Sequence, residues 1–115
     1  MDLHDLTEAM HRFVSAKGWY EPGTLRPQTP RNLAISLNLE ASEVLEHFQW
    51  REESLNQAEL ASELADVALY LLQLASISGI DLEQAILHKL ELNYHRSWDA
   101  GPEDETAPKD NAGQG

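Results

Sequence analysis

Apolar residues recur along this chain at helical rather than strand spacing. Between Leu3 and Ala16, the residues Leu6, Met10, Phe13 and Val14 step by about one helical turn, and Gly18 follows as a stop. Trp19 to Thr29 (WYEPGTLRPQT) carries Pro22, Gly23 and Pro27 and reads as a loop. Thr29-Pro30 is a helix start, with threonine as cap and proline in the first turn, where its missing N–H costs nothing. A second helix is predicted from Pro30 to about Trp50, with Leu33, Leu37, Val44 and Phe48 as its core stripe. Ser54 to Gln57 has the capping-box form and opens a third helix that runs to about Ser78, before Gly79. Its stripe is Leu60, Leu64, Val67, Leu71 and Leu74. Asp81 to Gln84 repeats the capping-box pattern and starts a fourth helix to about Arg96 or Trp98. No strand alternation and no internal repeat is visible, so the expected fold is an all-α four-helix bundle. From Asp99 onward the sequence is small, polar and poor in apolar residues. The expected division is therefore a helical domain over 1–98 and a disordered acidic tail over 99–115.

Four acidic residues interrupt this pattern. In the second helix the step from Leu37 to Val44 falls on Glu40 or Ala41, and Glu43 lies three residues further over the same face. In the third helix Asp66 is the only charged residue between Leu64 and Ala75, and Glu63 is three positions before it. Two consecutive helices thus each carry an acid-x-x-acid pair beside their apolar faces. Unpaired carboxylates there are costly, and their repulsion raises one another's pKa. A divalent cation resolves both problems. Carboxylates without cysteine or histidine favour a hard, oxygen-preferring ion, Mg²⁺ or Mn²⁺ over Zn²⁺. A solvated acidic face is the bland alternative for any one such pair.

Composition narrows the picture further. The chain has 115 residues and a net charge of −12, which argues against nucleic acid as a partner. It does not exclude a nucleotide, which paired carboxylates can bind through metal ions. Hydrophobic residues make up 42%, enough for a modest core that burial between subunits would enlarge. There are no cysteines, which removes disulfides and thiolate chemistry. The first residues lack the form of a signal peptide. No apolar stretch is expected to approach the roughly 18 residues that cross a bilayer. A cytoplasmic protein without a membrane partner is the expectation.

The segment PRNLAISLNLEASEVLEHFQW, followed about twenty residues later by ELADVALYLLQLA, resembles the MazG-like nucleotide pyrophosphohydrolases, and most nearly their dCTP pyrophosphatase branch. The resemblance spans Trp19 to Trp98. It departs at Leu39 and Ser42, where the family often has glycine. The resemblance implies Mg²⁺ held by Glu40, Glu43, Glu63 and Asp66, with Mn²⁺ as a possible substitute. It implies cleavage of a nucleoside triphosphate between the α and β phosphates, in a helical bundle assembled as a homodimer or homotetramer. Lys89 and Asn93 match the family's phosphate-facing pair on the last helix, with Arg96 as a third contact and Arg31 either touching phosphate or bridging helices.

Within that reading Glu43 is the candidate general base, and Glu46, one turn on, is its rival. Trp50, Trp19 and Tyr70 are candidates for contact with the base, whereas Phe48 is assigned to the core. Glu8 and His11 have the spacing of a di-iron ligand pair, but the further ligands such a centre requires are not present at matching spacing. All five histidines are therefore assigned to the surface or an interface. The alternative from another class is a non-enzymatic helical oligomerisation module whose acids are simply solvated.

Overall fold

The computed structural model describes residues 1–96. Trp98, one of the two expected limits of the fourth helix, and the expected tail over 99–115 lie outside them. The described residues form four helices: α1 (Leu3–Ala16), α2 (Pro30–Glu46), α3 (Gln57–Ile77) and α4 (Leu82–Tyr94). The all-α expectation holds, with no strand among the described residues. Two compact units divide the chain, Met1–Leu82 with α1 to α3 and a second beginning at Glu83 with almost all of α4.

Local signals explain most helix boundaries. Asp2 caps α1 by accepting from the Asp5 N–H at 2.8 Å. Thr29 caps α2 by accepting from the Asn32 N–H at 3.2 Å, and Pro30 occupies the first turn. Gly18 and Gly79 follow α1 and α3 with φ of 75° and 73°, a backbone conformation that favours glycine and ends a helix.

Three boundaries correct the sequence reading, the first being α4, which ends at Tyr94, short of Arg96. α2 ends at Glu46 rather than near Trp50, so the next residues leave the helical phase. Phe48, assigned to the core, is consequently 39% exposed. The capping box at Ser54 does not form. Asn56 is the N-cap of α3 and accepts from the Glu59 N–H at 3.0 Å, while the Ser54 hydroxyl accepts from the Asn56 N–H.

In the first unit α3 packs against both α1 and α2. Buried apolar side chains are few among the described residues: Met10 and Val14 of α1, Leu33 of α2, and Leu72 and Ala75 of α3. Several residues of the expected stripes stay outside this core, among them Leu6, Phe13, Leu64 and Leu71. The reason lies in α3, which is apolar on most of its circumference, so its periodicity does not select one face. By length and composition α3 would also suit a membrane span, contrary to the expectation that no segment would come close. A helix that packs in a bundle passes the same test, and Glu63 and Asp66 would be costly in lipid.

Candidate functional site

The acid pairs fall on the two helices that pack together, Glu40 and Glu43 on α2 and Glu63 and Asp66 on α3. Glu40 is partly buried, and its Oε2 is inaccessible and has no hydrogen-bond partner. Its carboxyl pKa is pushed up from 4.5 to about 7, first by burial and then by its hydrogen bond to Glu43. The negative charges of Glu43, Asp66 and Glu63 push in the same direction. All four sequence-selected acids are thus brought into one electrostatic neighbourhood.

The carboxylates do not yet converge on one point. Among the described residues no three His, Cys, Asp or Glu side chains are gathered at ligand distance. Like charges separate unless a cation draws them in, and one Glu63 oxygen is already engaged. His47, just beyond α2, donates from Nε2 to Glu63 Oε2 at 2.5 Å, and its Nδ1 lies 2.8 Å from Ser54 Oγ. The His47 side chain is only 11% exposed. This corrects its assignment to the surface. His11 is half-buried, and its ring nitrogens lie 2.6 Å from the Tyr20 hydroxyl and 2.7 Å from Ser76 Oγ. Neither partnership has a signal in local spacing, because each joins residues brought together by packing.

The donor set suits a hard divalent cation. It offers carboxylate oxygens alone, one of them buried and orphaned, in a region whose protonation state is already strained by like charge. Glu43 and Glu46 are both exposed on α2, so a water molecule can reach either carboxylate.

A cavity of about 290 Å³ opens between the loop after α1 and the helices α2 and α3, and two of its lining residues, Ser36 and Tyr70, stand one helical turn from Glu40 and Asp66. Trp19, Arg26, Gln28, Asn32, Ser36 and Tyr70 contribute to its lining. Two base-contact candidates, Trp19 and Tyr70, therefore share one pocket. Trp19 is braced edge-on by Phe13 at 5.7 Å, and the Arg26 guanidinium lies over its ring at 5.2 Å. Trp50 does not line this pocket and is 84% exposed. Arg31 is exposed in the first turn of α2. Lys89 and Asn93 lie on α4 and Arg96 just after it, all in the second unit.

A model of the MazG-like family matches residues 35–109. The dCTP pyrophosphatase 1 proteins of Mus musculus and Homo sapiens are each 31% identical over 103 residues, covering 82% of this chain and 58% of the relative. The chain thus spans a little over half the length of these relatives. A crystal structure of a pyrophosphatase from Archaeoglobus fulgidus is similar with a TM-score of 0.68 at 30% identity, over 93% of each chain.

Proposed function

The chain belongs to the MazG-like family, and from that premise we propose that it is a nucleoside triphosphate pyrophosphohydrolase acting on dCTP or a related deoxynucleotide. The reaction is hydrolysis between the α and β phosphates, giving a monophosphate and pyrophosphate. The observation that carries this reading is the partly buried Glu40, with an orphaned oxygen and a raised pKa, among three further acids. A nucleotide-binding protein of net charge −12 needs a cation between its acids and the phosphates. Relatives named dCTP pyrophosphatase support the choice of substrate.

Glu40, Glu43, Glu63 and Asp66 would hold Mg²⁺, with Mn²⁺ as a substitute. When bound, the ion supplies neutralisation of phosphate charge and lowers the pKa of water. Glu43, exposed beside Glu40, accepts the proton of the attacking water, with Glu46 as the rival acceptor one turn away. His47 holds one Glu63 oxygen in place from the loop between the helices. Trp19 and Tyr70 offer aromatic surface to the base in the adjoining cavity. Lys89, Asn93, Arg96 and Arg31 are assigned to the phosphates. Trp50, almost fully exposed, is assigned to base contact only in an assembled protein.

Leu39, Leu45 and Leu64 are each more than half exposed, which supports a homodimer or homotetramer that covers them. A soluble, cytoplasmic setting is consistent with the substrate. The reading is tested by pyrophosphate release from a panel of canonical and modified nucleotides with and without Mg²⁺. Glu40→Ala and Asp66→Ala separate enzyme from interaction module. Loss of turnover in variants that still fold supports the enzyme, and a wild type inert with every nucleotide leaves the module.

A further inference from the structure

Gln73 is a polar residue in the last third of α3, the most apolar of the described helices, and it is 3% exposed. Burying an amide there costs free energy unless its hydrogen bonds are made, and a leucine would pack at lower cost. Its Nε2 donates to Gln28 Oε1 at 2.8 Å and to the Tyr20 hydroxyl at 3.2 Å. Gln28 in turn donates from Nε2 to the Arg26 carbonyl at 2.7 Å, which leaves its Oε1 to face Gln73. Because Tyr20 accepts from Gln73, its own O–H is left to donate to His11 Nδ1 at 2.6 Å. The other nitrogen of His11 then donates to Ser76 Oγ at 2.7 Å. Every member of this chain has a partner with consistent donor direction.

The two residues that Gln73 grips stand at opposite ends of the pocket loop. Tyr20 directly follows Trp19, and Gln28 itself lines the cavity together with Arg26. Gln73 stands seven residues after Asp66 and three after Tyr70, positions that share one side of a helix. One amide therefore ties both ends of the pocket wall to the helix that carries half of the acid cluster.

We propose that Gln73 is a positioning residue that sets the shape of the Trp19–Gln28 pocket wall and thereby the selectivity among nucleobases. The inference rests on the functional reading above, in that the cavity receives the base. It assigns part of base discrimination to a residue that does not touch the base, through loss of conformational freedom in the loop before binding.

The test compares wild type with Gln73→Met, which keeps volume and removes the donor, and with Tyr20→Phe, which removes only the hydroxyl. Amide hydrogen exchange of residues 19–28 is followed without nucleotide, and pyrophosphate release is followed across a nucleotide panel. Gln73→Met is expected to speed exchange in this loop, raise KM for the preferred nucleotide about tenfold, and leave kcat within about threefold. Preference for the best base over the next should shrink by a similar factor. Tyr20→Phe should give a smaller change in the same direction, and it carries the test if Gln73→Met does not fold. Unchanged exchange and base ranking, or a fall in kcat with KM unaltered, would overturn the proposal. A wild type that turns over no nucleotide overturns the functional reading and base selectivity with it. In that case the exchange result alone decides whether Gln73 anchors the loop.

Discussion

At Glu40 burial and three acidic neighbours act in one direction. The folded chain without metal keeps a proton there that the unfolded chain releases near pH 4.5. The resulting stabilisation is fully present below pH 4.5 and is lost as the pH rises through about 7. Scanning calorimetry in the presence of chelator should therefore show the melting temperature falling across that window. Glu40→Gln should flatten the fall, since the amide cannot ionise. Metal binding needs the carboxylate, so Mg²⁺ affinity measured by titration calorimetry should weaken by up to about tenfold per pH unit below pH 7. At a neighbouring position, His47→Ala should weaken Mn²⁺ binding by about tenfold, because Glu63 loses the group that orients it. The acids were legible in the sequence because charge interrupts an apolar stripe there. His47 was not, since its partner lies sixteen residues away and is chosen by how α2 and α3 pack.

The helices themselves were read well where a side chain caps its own helix and less well where tertiary contacts intervene. Thr29 and Pro30 begin α2 where their local chemistry places them. Removing that cap with Thr29→Ala should cost about 1 kcal/mol, measured by urea unfolding. Ser54 has equally good local credentials, yet its hydroxyl is engaged with His47, and Asn56 caps α3 instead. The same competition separates predicted from actual core. Leu33 is buried in the stripe expected for α2, and Leu33→Ala should cost about 2–5 kcal/mol by the same measurement. Leu64 and Leu71 carry equal apolar character but remain about half exposed. For a helix as uniformly apolar as α3, the neighbours decide which face is inside.

At the scale of the molecule, the small set of buried apolar residues among those described contrasts with the apolar surface on α2 and α3. Sedimentation equilibrium should find a dimer or tetramer, and charged substitutions at Leu39 and Leu64 together should shift it towards monomer. The all-α architecture was legible from spacing alone. The pocket wall was not, because it is built by Gln73 and His11 reaching from two helices to one loop. The most direct test of the central claim is pyrophosphate release from dCTP and a nucleotide panel, with Mg²⁺ and with chelator, for wild type and Glu40→Gln. Metal-dependent release of one pyrophosphate per monophosphate by wild type, reduced at least about a hundredfold in a folded Glu40→Gln protein, is the predicted result. Turnover that persists without metal or survives Glu40→Gln, or no turnover of any nucleotide, would contradict the assignment of the acid cluster as the catalytic metal site.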